Sequence, residues 1–367
     1  MKCVMHIPWQ LTDSSVAATE IRPRKMKRAF EDIGCEVFFI CGRASDRVIQ
    51  VRELKKRLRA GEKFSFLYSE SSTLPMQLTE PHHLPTHPWV DANLFRLAKR
   101  HGIPSGLFYR DIFWAFSQFP RFNAVKTLYT NLFHRSELRC YNRCFDVMFF
   151  PLDDPAKVRE KLHLLKPGIP ILPLPSGADI HPDLKGDSGD YFVYLGGCWP
   201  NLHDLKVLIR AFAMVPQCHL KICTPKLRWE ENKAFYQSGL TPNIEVLHLV
   251  NSEAQELLSK ARYAFNYFPP SPYRQLAVPY KLFEYVGHQL PVIWSEQDAA
   301  AGIVQKLGLG YVLKHSPEVL ADWLRNQPSE DEYQALRAHI GEIRLQHTWQ
   351  KRAEMVRDTL TKGRQLG

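Results

Sequence analysis

The chain has 367 residues, 48 lysines and arginines against 38 aspartates and glutamates, and a net charge of +10. At 45% hydrophobic and 23% charged it has a globular composition, with length for two domains of ordinary size. No stretch nears the ~20 apolar residues of a membrane span, and no zinc-finger spacing, basic zipper or long lysine/arginine run argues for nucleic acid. The positive charge therefore points to phosphorylated small molecules or anionic headgroups.

The N-terminal MKCVMHIPW enters a predicted strand at once, without the apolar stretch of a leader, so a cytosolic chain is expected. The eight cysteines form no C-x-x-C pair. Cys140 and Cys144 share a helical face, but a zinc site would need more ligands close by, and reduced structural thiols are expected.

Strands are predicted over 2–7, 36–42, 64–70, 106–111 and 146–151, with helices over 21–33, 48–59, 91–101 and 122–145 between them. This alternation is the pattern of β-α-β units on a parallel sheet. Residues 166–189 are dense in proline and glycine and cannot form a regular helix. The alternation then restarts: strands over 191–197, 219–225, 244–250, 263–268 and 290–294, and helices over 204–214, 252–260, 281–287, 317–326 and 330–361. Ser252 followed by Gln255 reads as a capping box. The expected division is an acceptor-side domain over 1–170, a linker over 171–189, a nucleotide-binding domain over 190–345, and a terminal helix over 346–367 packing back on the first domain. Two such α/β halves would leave a cleft between them, with ligands outside the carboxyl ends of the strands.

The most informative stretch is PYKLFEYVGHQLPVI, from Pro279 to Ile293. A turn, a helix start with Lys281 and Glu284 three residues apart, and a glycine break before an apolar strand suit a nucleotide diphosphate at the edge of a parallel sheet. Lys281 and helix-entry amides can face phosphates, and Glu284 can accept from two ribose hydroxyls. The alternative is a surface helix with a solvated lysine and glutamate.

In order, YFVYLGG (191–197), DLKVLIRAF (204–212), SEAQELLSKARYAFNYFPPS (252–271), PYKLFEYVGHQLPVI and the tail HTWQKRAEMVRDTL (347–360) resemble the GT-B glycosyltransferases, two-Rossmann-domain enzymes that use nucleotide-sugar donors. The resemblance covers nearly the whole chain. It implies that Glu284 binds the donor ribose and that Gly196 and Gly197 let backbone amides approach the diphosphate. It also implies that Lys281 and Arg274 neutralise that diphosphate and that Tyr280 or Tyr273 lines the base or sugar pocket. For Arg274 a solvated loop position is an equal alternative, and packing is an alternative for the tyrosines. Two departures count against the retaining chemistry of such enzymes. The first glutamate of their E-x₇-E motif falls on Leu276, and their arginine and lysine after the first strand fall near Gly197 and His203.

An inverting transferase needs a general base for the acceptor hydroxyl. Asp111, at the end of a predicted strand beside Arg110, Phe113 and Trp114, is the first candidate; its alternative is capping the segment that follows. Asp13 is the second, Glu20 a weaker third. His6 is expected to be structural. The cluster His82, His83 and His87 reads as a loop, Asp153-Asp154 lacks the setting of a metal-binding DxD motif, and no metal or other cofactor is expected. The basic, apolar stretch 121–139 suits either a core-facing helix or one lying on an anionic membrane.

The function implied is transfer of a sugar from a nucleotide-diphosphate donor, a UDP-sugar first, to a glycan or lipid-linked acceptor of a bacterial surface polysaccharide, with peripheral contact at the inner face of the membrane. The alternatives are a nucleotide-sugar 2-epimerase of the same fold and a non-catalytic nucleotide-sugar-binding subunit.

Overall fold

The computed structural model describes residues 1–12, 18–116, 124–182, 190–296 and 298–362. The chain forms two compact units, Met1–Ser176 with Trp349–Gly367, and Gly177–Thr348.

The first unit is built on β1 (Lys2–His6), α1 (Ala18–Asp32), β2 (Glu36–Ile40), α2 (Ala44–Arg59), β3 (Phe66–Glu70), α3 (Val90–Arg100), β4 (Ser105–Phe108), α4 (Ala124–Cys144), β5 (Val147–Phe150), α5 (Pro155–Lys161) and β6 (Ile171–Pro173). The strands pair in parallel in the order β2-β1-β3-β4-β5-β6. β3, β4 and β5 are buried along their whole length, as strands covered on both faces are; β5 (VMFF) is wholly apolar, while β3 and β4 also bury Ser69, Glu70 and Ser105. The tight turn after α1 uses Gly34 at φ +80°, a conformation that costs glycine nothing.

The second unit follows the same logic with β7 (Tyr191–Leu195), α6 (Lys206–Ala213), β8 (His219–Cys223), α7 (Lys226–Tyr236), β9 (Ile244–Leu247), α8 (Asn251–Lys260), β10 (Tyr263–Asn266), α9 (Lys281–Gly287), β11 (Val292–Ser295), α10 (Ala299–Leu307), β12 (Gly310–Leu313), α11 (Pro317–Arg325) and α12 (Glu330–Ile343). Its sheet is again all parallel, ordered β12-β11-β10-β7-β8-β9. Phe192, Phe212, Tyr263, Phe265 and Tyr333 fill one side of it. Val193, Leu258, Leu282, Tyr285 and Trp294 fill the other. Finally α13 (Trp349–Lys362) leaves this unit and packs on α1 of the first.

Several expectations are corrected. The segment expected as linker from 171 begins as strand β6, held by the Met148, Phe149 and Phe150 register of β5. A three-residue strand between prolines has no readable alternation, so pairing alone reveals it. The capping box at Ser252 is absent: α8 starts one residue earlier with Val250 as N-cap and no side-chain cap. The long helix expected over 330–361 breaks at a short 3₁₀ turn, Arg344–Gln346, and Thr348 bridges to Ala178. Helices α5, α7 and α10 and strand β12 were not expected.

Candidate functional site

In each sheet the first strand has neighbours reached by crossovers running in opposite directions. Such a switch point opens a crevice at the carboxyl ends of the two central strands. In the second unit those strands are β7 and β10, and the residues just beyond them are Gly196–Gly197 and Tyr267–Phe268.

Gly196 is required by its neighbours: a Cβ there would run into the Tyr194 hydroxyl and stand 3.4 Å from Lys281 Cε. At Gly197 a Cβ would collide with the Trp199 indole. Gly196 does not, however, offer its amide to a phosphate. That N–H donates to the Cys223 carbonyl over 2.9 Å, extending the β7–β8 ladder by one residue. The expectation for Gly196 is corrected accordingly: its small size admits Lys281, while its amide belongs to the sheet.

Lys281 opens α9 and is half-buried. Burial lowers its pKa, opposed by the charge of Glu284. Arg274 is buried rather than solvated. Its guanidinium donates to the Leu202 carbonyl and lies 4.3 Å from the Phe268 ring centroid. Its pKa is also lowered by burial, with Asp298 and Tyr194 opposing. His203 completes the group: burial, then Arg274 and Lys281, pull its imidazole down to about 3, so it stays neutral. Lys281 and Arg274 are thus two desolvated cations near one neutral imidazole.

Glu284, one turn into α9 and half-buried, accepts from the Gln255 side-chain amide over 3.0 Å. The other end of that amide meets His288 Nε2 at 2.7 Å, and His288 Nδ1 meets the Ser259 hydroxyl at 2.8 Å. Since the carboxylate can only accept, Gln255 must turn its NH₂ to Glu284 and its oxygen to His288. His288 therefore carries its proton on Nε2 and accepts from Ser259 at Nδ1. Burial holds the His288 pKa at about 3, consistent with that neutral tautomer. Gln255, read in the sequence as half of a capping box, instead orients the glutamate.

The helix carrying both residues is pinned at its end. A Cβ on Gly287 would strike the Asp179 carbonyl, and the Gly287 carbonyl accepts from the His181 amide over 3.2 Å. The glycine of PYKLFEYVG is there for close backbone approach. Tyr280 is the N-cap of α9 and half-buried, as is Tyr273. Leu276, where a first glutamate was sought, is buried apolar packing.

Sequence reasoning missed His203, Thr224 and Asn266. Thr224 follows β8 and Asn266 ends β10; both are buried, and Thr224 Oγ1 and Asn266 Nδ2 have no hydrogen-bond partner. The signal was available: a polar residue closing an apolar strand sits at the sheet end where ligands bind.

In the first unit Asp111 lies three residues past β4, and its Oδ1 accepts from the Phe113 amide over 2.9 Å. The capping alternative is what this bond shows: Asp111 caps the turn that follows the carboxyl end of β4. Asp13 lies outside the described residues. Glu20 is engaged by the Thr12 amide and hydroxyl and by Arg24. Glu70, which sequence reasoning passed over, ends β3 fully buried, accepting from Tyr68 at 2.9 Å and Arg110 at 3.0 Å, with Arg22 at 3.4 Å. Two arginines and a phenol occupy that carboxylate, which suits it to positioning rather than proton transfer. His6 is structural, bonded to Ser69 and to the Asp91–Arg47 pair. His83 binds the Leu78 carbonyl and His82 accepts from Leu84, and Asp154 caps α5. Among the described residues no group of three or more histidine, cysteine, aspartate or glutamate side chains could hold a metal ion, and no helix is long and apolar enough to cross a membrane.

Residues 209–348 match the family model described as glucosyltransferase 3-like, C-terminal domain. No curated protein sequence matches the chain. Among solved structures it is similar to a sucrose-phosphate synthase from Thermosynechococcus elongatus, at 12% identity over 100% of this chain and 99% of that one, TM-score 0.65. WaaG, a glycosyltransferase involved in lipopolysaccharide biosynthesis, aligns at 13% identity over 98% and 99% of the two chains, TM-score 0.58. A Listeria monocytogenes protein described as a UDP-N-acetylglucosamine 2-epimerase aligns at 13% over 100% and 97%, TM-score 0.52. The fold is that of the GT-B glycosyltransferases. Fold and family match together define the class: a glycosyltransferase.

Proposed function

We propose that this glycosyltransferase takes a hexose from a nucleotide-diphosphate sugar, a UDP-sugar first, and delivers it to a glycan or lipid-linked acceptor in assembly of a bacterial surface polysaccharide. The observation that carries the donor half is the grouping of buried Arg274 and half-buried Lys281 at the end of β7, beside a Glu284 carboxylate oriented by Gln255. Two desolvated cations fit a diphosphate, and a fixed carboxylate fits a ribose diol. The lipopolysaccharide role of WaaG supports the acceptor class by analogy.

In the proposed reaction the acceptor hydroxyl oxygen bonds to the anomeric carbon as the bond from that carbon to the diphosphate oxygen breaks. The hydroxyl proton passes to a carboxylate, for which Asp111 is the proposed base. Arg274 and Lys281 take up the charge growing on the departing diphosphate, an electrostatic effect worth several kcal/mol in a water-poor site, roughly 3–4 for one good donor. Those cations do the work a divalent ion would otherwise do, so turnover without added metal is proposed.

A thermal-shift screen against UDP, GDP, CMP and dTDP sugars tests the donor assignment, since ligand that binds only the folded state raises its stability. A rise with one nucleotide class, followed by donor consumption only when an acceptor is added, is the expected result. The epimerase neighbour favours one second reading, acceptor-free isomerisation of the donor, and product analysis without acceptor decides it. Binding with no turnover under either condition would leave a nucleotide-sugar-binding subunit.

A further inference from the structure

Helix α4 carries two sides whose difference its place in the core does not explain. His134, Glu137, Leu138 and Tyr141 are buried and share one side of the helix. Val125, Leu128, Tyr129 and Leu132 lie on the opposite side and are 77%, 64%, 36% and 56% exposed. At 3.6 residues per turn they form one stripe two turns long. The stripe for which the sequence left core and membrane surface as alternatives is therefore in water.

The same line continues as charge. Arg135, Arg139 and Arg143 fall on the stripe's side over the next turns, all exposed. The adjoining α3 adds exposed Arg96, Lys99 and Arg100, with Trp89 60% exposed at its N-cap. A groove of about 380 Å³ between these helices is lined by Trp89, Arg96, Lys99, Arg139 and Arg143, among others. Counting Lys126, the two helices expose seven cations, while their two carboxylates, Asp91 and Glu137, are both buried. The solvent-facing ribbon thus carries apolar bulk at one end and unmixed positive charge at the other.

We propose that this face docks on an anionic lipid bilayer, with Val125, Leu128, Tyr129 and Leu132 at the acyl boundary and the arginines against headgroup phosphates. Charge selects this occupant. A second copy of the chain meeting the face symmetrically would set seven cations against seven, which self-complementary dimers avoid. The proposal stands apart from the donor assignment, because docking needs neither nucleotide nor turnover.

Cosedimentation of the full chain with vesicles tests it. Binding to phosphatidylcholine mixed with phosphatidylglycerol, weak on phosphatidylcholine alone and falling with salt, is expected. The double change Arg139→Ser and Arg143→Ser is expected to weaken it roughly thirtyfold, at about 1 kcal/mol per cation. Leu128→Ser with Leu132→Ser is expected to weaken it roughly tenfold or more. All four positions are outside the core, so unchanged melting and unchanged nucleotide binding accompany the loss. No binding to anionic vesicles at low salt, equal binding to both vesicle types, or variants that bind like the wild type would overturn the proposal. So would a concentration-dependent dimer, seen by ultracentrifugation, that the leucine changes abolish.

Discussion

The side-chain amide of Gln255 donates to the Glu284 carboxylate over 3.0 Å. One helix thereby orients the functional group of another, and the chain of partners runs on through His288 to Ser259. Glu284 is held before any ligand arrives, which lowers the ordering cost of binding.

Glu284→Ala is expected to weaken nucleotide affinity by roughly ten- to a hundredfold, the span of charge-assisted hydrogen bonds. Gln255→Leu, which leaves the carboxylate but frees it, is expected to cost several-fold less. Calorimetric titration checks both, and an unchanged affinity in Glu284→Ala removes the ribose assignment.

Lys281→Met keeps the unbranched side chain as far as Cε beside Gly196 and deletes the charged end. A fall in kcat of roughly a hundredfold is expected, with a smaller change in nucleotide affinity, because the charge matters most as the diphosphate leaves. Steady-state kinetics separates the two. A purely proportional rise in KM would mean that Lys281 only binds donor.

Asp111→Asn keeps an oxygen for the Phe113 amide but cannot take a proton. Turnover is expected to collapse while the fold and nucleotide affinity persist. If near-normal rates are measured, the base lies elsewhere, and Asp13→Asn is the next variant to assay.

Acid and neutral pH act on the second unit with opposite signs through two buried groups. Burial raises the Asp298 carboxyl from 3.8 to about 6, so the folded state holds a proton that the unfolded state has lost. Its contribution is present below pH 3.8 and is lost as pH rises to about 6, at most about 3 kcal/mol. His203, lowered from 6.5 to about 3, contributes above 6.5 and loses that contribution as pH falls. Asp298→Asn keeps the cap on the Ala300 amide. Its stability relative to wild type is expected to increase between pH 4 and 6, read by urea unfolding at a series of pH values.

Gly287→Ala places a methyl group against the Asp179 carbonyl and is expected to cost roughly 1–3 kcal/mol, an overpacking penalty with a backbone neighbour that cannot rotate away. Thermal unfolding checks it. Nucleotide affinity should fall with it, since α9 carries Lys281 and Glu284.

The parallel alternation, the doubled α/β architecture and the Lys281–Glu284 segment were legible in the chain, because hydrophobic period and turn residues are local quantities. β6 and β12 were not, since what defines them is pairing with β5 and β11 rather than a local period. The misreading of Gln255 has the same root: Ser252 and Gln255 are spaced as a cap, and only the packing of α8 on α9 gives the glutamine a better partner.

By itself, then, the sequence determined two parallel sheets, the order of their strands along the chain, and a basic residue and a carboxylate opening one helix. The tertiary structure alone decided what those residues face. It set Arg274 in the interior beside Leu202, gave the Gly196 amide to the sheet, and left the apolar stripe of α4 in water. Periodicity reports which residues share a face, but burial depends on whether another element arrives to cover it, and that is settled by contacts between residues far apart in the chain.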